Sequence, residues 1–308
     1  MKRTKYPIHP DFQKWANMNP PLHKATLPAM QKLMGLLFTR ERSTADVTVE
    51  RKVIPVGGGT IRALWYCPKD VGEHAPCLLY YHGGGFVLPA ALYHYSLAKE
   101  YAQRAHCKVL FVDYRLAPRF PFPAAPEDCY LAYAWAAANA GDLSIDTSRM
   151  AVAGDSAGGA LATVVCLMAK ERGQLMPCGQ MMMYPVTGIG METESMKKYT
   201  DTPMCNSQDA EKYDKLYRPA PSAGKLEYAS PIQAESLAGL PAAYIETAEF
   251  DCLRDGGILY AERLRKFGVP VELHNTEETM HGFDIVLDSP IVRNCVDRRT
   301  AFLKKIFS

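Results

Sequence analysis

The chain has 308 residues, 48% of them hydrophobic, enough to bury one large α/β core near the upper limit for a single domain. A formal charge of +2 argues against a nucleic-acid or anionic-membrane partner, and no apolar run approaches the roughly 20 residues that span a bilayer. The nine cysteines show no C-x-x-C and no metal-ligand spacing, and no apolar signal follows the basic stretch Met1 to Lys5. Reduced thiols in a cytoplasmic protein, with no metal and no cofactor, are therefore expected.

In chain order, residues 1–50 carry Leu27, Met30, Leu33, Met34, Leu37 and Phe38 at helical spacing, a stripe that must bury against something. Lys52 to Val56 and Thr60 to Tyr66 flank Gly57-Gly58-Gly59, which predicts an antiparallel hairpin at a sheet edge. Cys77 to Tyr81 reads as a buried strand running into His82-Gly83-Gly84-Gly85-Phe86. Consecutive glycines let backbone N–H groups converge on one point with no side chains in the way. Leu97 to His106 is expected as helix, Val109 to Val112 as strand, and Pro126 to Asn139 as an Ala-rich helix.

Met150 to Ala153, then Gly154-Asp155-Ser156-Ala157-Gly158-Gly159, then Ala160 to Lys170 spell strand, tight turn, helix. A serine at such a turn sits on strained backbone with its hydroxyl raised above the sheet, and only small neighbours fit around it. The Ala157 N–H then lies at a helix N-terminus, where it can meet a developing oxyanion. Gln180 to Tyr184 predicts the next strand. Residues 186–235 are polar and Pro-interrupted, with Met191, Met196, Tyr213 and Tyr217, and stand outside the strand–helix alternation.

Ala243 to Ala248 reads as a strand with Asp251 just past its carboxyl end, where doubly wound folds collect functional groups. Asp251 is favoured as the acid over Asp255, which could cap or brace the same loop, and over Glu249. Val269 to His274 predicts the last strand, followed by a polar loop from Asn275 to Met280 and then His281-Gly282-Phe283. His9, His23, His74, His94 and His106 precede the serine and His274 lies inside a strand, so the order serine, aspartate, histidine selects His281. Ile258 to Phe267 and Asn294 to Ile306 are the last helices.

These residues suit acyl transfer. Ser156 would attack an acyl carbon, His281 would take and return the proton, and Asp251 would hold the imidazole. Gly83, Gly84 and Ala157 are the expected oxyanion donors, with His82, Gly85 and Asp155 as supporting positions. His82 is expected to brace its loop rather than to act as base.

The motifs together resemble the hormone-sensitive-lipase-like esterases of the α/β-hydrolase superfamily. The resemblance rests on His82 to Phe86, Asp113-Tyr114-Arg115-Leu116-Ala117-Pro118 with Phe120 to Ala125 and Glu127-Asp128, Gly154 to Gly159, Asp251-Cys252-Leu253-Arg254-Asp255, and His281-Gly282-Phe283. It runs from about Lys52 to the C-terminus apart from a variable segment between Pro185 and Ser230. The sequence departs at Arg119-Phe120, where relatives often have an acidic residue and then His, and at Cys252, where they often have Pro.

The resemblance implies an α/β-hydrolase fold, a mostly parallel doubly wound sheet with a helical cap. The implied division is a core of residues 51–185 and 236–308, N-terminal cap helices in 1–50 and a cap insertion at 186–235. It also implies a carboxylic-ester hydrolase acting on small-molecule esters with short, acetyl-like acyl groups. Two alternatives stay open: a small-molecule receptor on the same fold, against which the presence of His281 argues, and an amidase or acyltransferase using the same serine. A C-terminal edge strand could pair two copies as a homodimer.

Overall fold

The computed structural model describes residues 5–18, 25–218, 220 and 224–308. The expectations that touched residues 1–4 and His23 lie outside the described residues. Eight strands form one sheet in the order β1-β2-β4-β3-β5-β6-β7-β8. They are β1 Val47–Val56, β2 Gly59–Pro68, β3 Ala75–Tyr81, β4 Lys108–Asp113, β5 Ile145–Asp155, β6 Gln180–Met183, β7 Ala243–Phe250 and β8 Val271–Met280. Strand β2 is antiparallel to both neighbours, and every pairing from β4 to β8 is parallel. The expected edge hairpin is there, and β1 straddles the expected boundary at residue 50.

Strand periodicity explains the layering. In β3, Cys77, Leu79 and Tyr81 feed one core cluster, while Leu78 and Tyr80 feed the other. A central parallel strand is covered on both faces, which is why this run is continuously apolar rather than alternating. One face carries α3 Ala124–Ala138, α5 Ala157–Glu171 and α9 Arg254–Lys266. The other carries α2 Leu92–Arg104 and α10 Pro290–Phe307. The remaining helices are α1 Leu27–Arg40, the short α4 Ala140–Leu143, α6 Glu194–Lys198, α7 Ser207–Tyr217 and α8 Leu226–Ala229.

The order of the strands reverses at β3, which lies between β4 and β5. The loops leaving the carboxyl ends of β3 and β5 therefore diverge and leave a crevice between them. Those two loops carry His82 to Phe86 and Ser156.

Two expectations change. Asn275 to Met280, read as a polar loop, continues β8 and pairs with β7 up to Phe250↔Met280 past a register shift. Its polarity reflects a half-solvated edge strand: Thr276 is buried while Glu277 and Glu278 face out. In α1 the stripe is narrower than expected. Leu27 and Phe38 are buried, but Leu33 is 69% exposed.

Candidate active site

The turn between β5 and α5 is tight for a visible reason. A Cβ on Gly154 would lie 2.3 Å from the Gly158 carbonyl, and one on Gly158 would lie 1.9 Å from the Tyr81 carbonyl oxygen. Only glycine permits that approach. Ser156 sits between them at φ 54°, ψ −117°, a conformation that a non-glycine residue holds only when its surroundings impose it. Here its N–H donates to Met183 O at 2.8 Å and its carbonyl accepts from Val186 N at 3.0 Å. The end of β6 and the loop that follows it thus hold the strained residue in place.

Ser156 Oγ lies 2.9 Å from His281 Nε2, and His281 Nδ1 lies 2.7 Å from Asp251 Oδ2. Asp251 is fully buried, and its other oxygen accepts from Leu253 N at 2.9 Å, which fixes the carboxylate at the end of β7. Asp255, the competing carboxylate, instead accepts from Ser195 N at 2.7 Å and ties α6 to α9. Glu249 accepts from Glu278 N at 2.8 Å. Burial pushes the His281 imidazole down, but the facing Asp251 carboxylate outweighs it and raises the ring to about 9. Tyr184 packs edge-on against that ring at 5.0 Å and donates its hydroxyl to Asp284 Oδ2 at 2.8 Å.

The glycine loop needs a correction. Gly83, expected as an oxyanion donor, turns its N–H inward to Asp155 Oδ1 at 3.1 Å. It is therefore already occupied, and a Cβ there would meet Asp155 Oδ2 at 2.3 Å. The N–H groups of Gly84, Gly85 and Ala157 have no acceptor among the described residues, and Gly84 and Gly85 line the cavity that holds Ser156. Gly85, expected only as support, thus presents an unpaired N–H on the cavity wall where Gly83 does not.

Asp155 emerges as the hub beneath this loop. It also accepts from Tyr80 Oη at 2.8 Å and from His94 Nε2 at 3.1 Å. His94 Nδ1 accepts from Ala91 N at 2.8 Å, so Nε2 carries the hydrogen it gives to Asp155. Burial opposes the charge of Asp155, yet His94 and Tyr80 hold it below the usual carboxylate range. His94, set aside in the sequence as a histidine that precedes the serine, arrives from α2 with no local pattern that links it to Asp155. His82 braces the loop as expected: Nδ1 contacts Gly83 O at 2.7 Å and the ring stacks on Tyr114 at 4.4 Å. Burial, helped by His94, pushes His82 down to about 4, so it stays uncharged at neutral pH.

Above the serine lies a cavity of about 780 Å³. Met30 and Met34 come from α1; Met191, Met196, Tyr213 and Tyr217 come from the segment between β6 and β7. The Tyr213 ring packs so closely on Gly85 that a Cβ there would lie 2.3 Å from it. Gln31 of α1 donates to both Val87 O and Ala117 O, tying that helix to the loops after β3 and β4. Such an arrangement can pass a proton from a hydroxyl to an imidazole beside converging amides, in a mostly apolar chamber.

A family model described as the alpha/beta hydrolase fold matches residues 78–285. Esterase LipI of Mycobacterium tuberculosis is 37% identical over 79% of this chain and 75% of its own length. An ethyl acetate hydrolase of Pseudomonas putida is 36% identical over 73% of this chain and 72% of its own length. Among solved structures, a bacterial heroin esterase superimposes with a TM-score of 0.88 at 32% identity, covering 98% of both chains. No described helix is long and apolar enough to cross a membrane. The chain belongs to the α/β-hydrolase superfamily and, within it, to the hormone-sensitive-lipase-like esterases.

Proposed function

We propose that this protein is a serine carboxylesterase that cleaves short-chain acyl esters through an acyl-enzyme. Uncharged His281 takes the proton of Ser156 as Oγ attacks the acyl carbon. Asp251 accepts the Nδ1 hydrogen, fixes the tautomer and stabilises the imidazolium. The N–H groups of Gly84, Gly85 and Ala157 hold the oxyanion, each worth about 10²–10³ in rate. His281 returns the proton to the leaving alcohol, and water repeats the cycle. The observation that supports this reading most is the unbroken line Asp251–His281–Ser156, at 2.7 and 2.9 Å.

The short acyl group is supported by Tyr213, whose ring limits the space beside Gly85, and by similarity to a protein named for ethyl acetate. The rest of the cavity would take the alcohol. Residues 1–50 and 186–235 serve as the cap over a core of 51–185 and 236–308, a reading supported by Met30, Met34 and Tyr213 lining the chamber above Ser156. Nine free thiols fit a cytoplasmic setting, and β8, the last strand of the sheet, is the edge at which a second copy would pair. Hydrolysis of p-nitrophenyl esters from acetyl to dodecanoyl tests the substrate class. The expected kcat/KM peaks at acetyl or butyryl; a peak at decanoyl or beyond overturns the short-acyl assignment.

A further inference from the structure

Cys252 stands next to Asp251, at the position where the sequence departs from the proline that the family resemblance implies, and the hydrolytic chemistry makes no use of it. Its sulfur lies 3.9 Å from that of Cys205, in van der Waals contact. The two residues come from different parts of the molecule. Cys252 follows β7 in the loop that holds Asp251, and Cys205 precedes α7 in the segment that roofs the cavity. Both border the chamber containing Ser156 and His281; Cys205 keeps 7% of its surface exposed and is the sulfur a small solute meets, whereas Cys252 is fully buried behind it.

The backbones on both sides are anchored. Thr202 Oγ1 donates to Cys205 O at 2.7 Å, and Cys205 N donates to Pro203 O at 2.7 Å. Ser195 Oγ donates to Cys252 O at 2.8 Å. The two sulfurs are thus presented to each other by fixed main chain, and a bond between them requires closing from 3.9 Å to about 2.05 Å. Side-chain rotation supplies that closure, and with the main chain anchored the bond would load the loop that carries Asp251.

We infer that Cys205 and Cys252 form a dithiol modification site, which a hydroperoxide converts to a disulfide that tethers the cavity roof to the Asp251 loop and suppresses hydrolysis. The Cys205 sulfur attacks a peroxide oxygen; the O–O bond breaks, and the released hydroxide leaves with the thiol proton as water. The Cys252 sulfur then attacks the sulfenic sulfur of Cys205, the S–O bond breaks, and a second water leaves with the Cys252 proton. The sulfur pair gives up two electrons and hydrogen peroxide is reduced to two waters. A dithiol reductant reverses the bond by exchange.

The electrostatics suit this division of roles. Contact with the Cys252 sulfur and the nearby His281 ring hold the Cys205 thiol below its ordinary range against the opposing effect of burial. The Cys205 sulfur beside it and burial push Cys252 well above that range. Cys205 is therefore the attacking sulfur and Cys252 the resolving one. Inhibition follows because Asp251 precedes Cys252 directly, and its 2.7 Å bond to His281 has little tolerance for a shifted loop.

The disulfide itself stands independently of the ester-hydrolase reading, whereas the loss of activity rests on that reading. The test treats the purified full chain with hydrogen peroxide, maps peptides without reduction, and follows hydrolysis of p-nitrophenyl acetate before and after dithiothreitol. Expected are a linked peptide joining Cys205 and Cys252 and at least a tenfold fall in kcat that dithiothreitol reverses. Cys205→Ser and Cys252→Ser, each referred to its own untreated activity, should lose less than twofold under the same treatment. Ser156→Ala protein should still form the link, which separates the thiol chemistry from the esterase assignment. Absence of the linked peptide, or a linked protein with unchanged kcat, overturns the proposal. Cys205→Ala replaces Cys205→Ser should the latter not fold.

Discussion

The floor and the roof of the cavity are held by different physics. The floor is the end of β3, the end of β5 and the start of α5, where nearly every residue is buried and the main chain is locked by close glycine contacts and by Asp155. The roof is α1 and α7, where in α7 only Asp209, Leu216 and Tyr217 are buried and methionines supply much of the apolar surface. A rigid floor suits groups that must stay within a fraction of an ångström of a reacting carbon. A roof of flexible side chains suits recognition of varied apolar groups. Chemistry and selectivity should therefore separate by mutation.

The largest effect should come from the floor. Ser156→Ala is expected to lower kcat by about 10⁶ while leaving the thermal transition near that of the parent, checked by single-turnover kinetics and calorimetry. Asp251→Asn should cost about 10⁴ in kcat, because the histidine loses the partner that sets its tautomer. Asp155→Asn, which disturbs the loop of the donor amides without touching substrate, is expected to lower kcat by about 10²–10³ with little change in KM. A change in KM alone would put Asp155 outside the positioning of those amides.

The pH profile sharpens the same contrast. His281 must be uncharged to act, and Asp251 raises it to about 9 against the effect of burial. The expected kcat/KM therefore climbs about tenfold per pH unit on the acid side and levels off near that value. The stability sign is opposite. The charged pair stabilises the fold fully below the ordinary histidine range near 6.5, and that stabilisation is lost as pH rises through about 9. Asp251→Asn should move the kinetic midpoint downward, and an unmoved midpoint would show that another group governs it. The smallest effect belongs to the roof. Tyr213→Ala should shift the preferred acyl chain by a few carbons and change acetyl-ester turnover only about two- to fivefold.

The same contrast explains what was legible in the sequence. Ser156, Asp251 and His281 could be read because each sits just past the end of a strand, in an order that the hydroxyl–imidazole–carboxylate chemistry shares across this fold. In the glycine loop the free N–H groups lie one residue later than the expected pair, at Gly84 and Gly85 rather than Gly83 and Gly84. A run of glycines does not reveal which N–H is already taken, and Gly83 is taken by Asp155, a residue 72 positions away. Asn275 to Met280 was misread because a half-solvated edge strand loses the apolar run that marks its central neighbours. The contact of Cys205 with Cys252 was illegible because nothing local brings residues 47 positions apart together. Residues 186–235 have no period to follow, so the sequence marks them as a cap only by their break from the strand–helix alternation and by the family resemblance.

The central claim is that Ser156 is an activated nucleophile served by His281. Reaction with a fluorophosphonate, followed by intact-mass measurement and peptide mapping, tests it most directly. The account predicts one equivalent of label, located on Ser156, absent from Ser156→Ala and slowed by orders of magnitude in His281→Ala. Full labelling of Ser156→Ala at another residue, or labelling of Ser156 at an unchanged rate without His281, would contradict it.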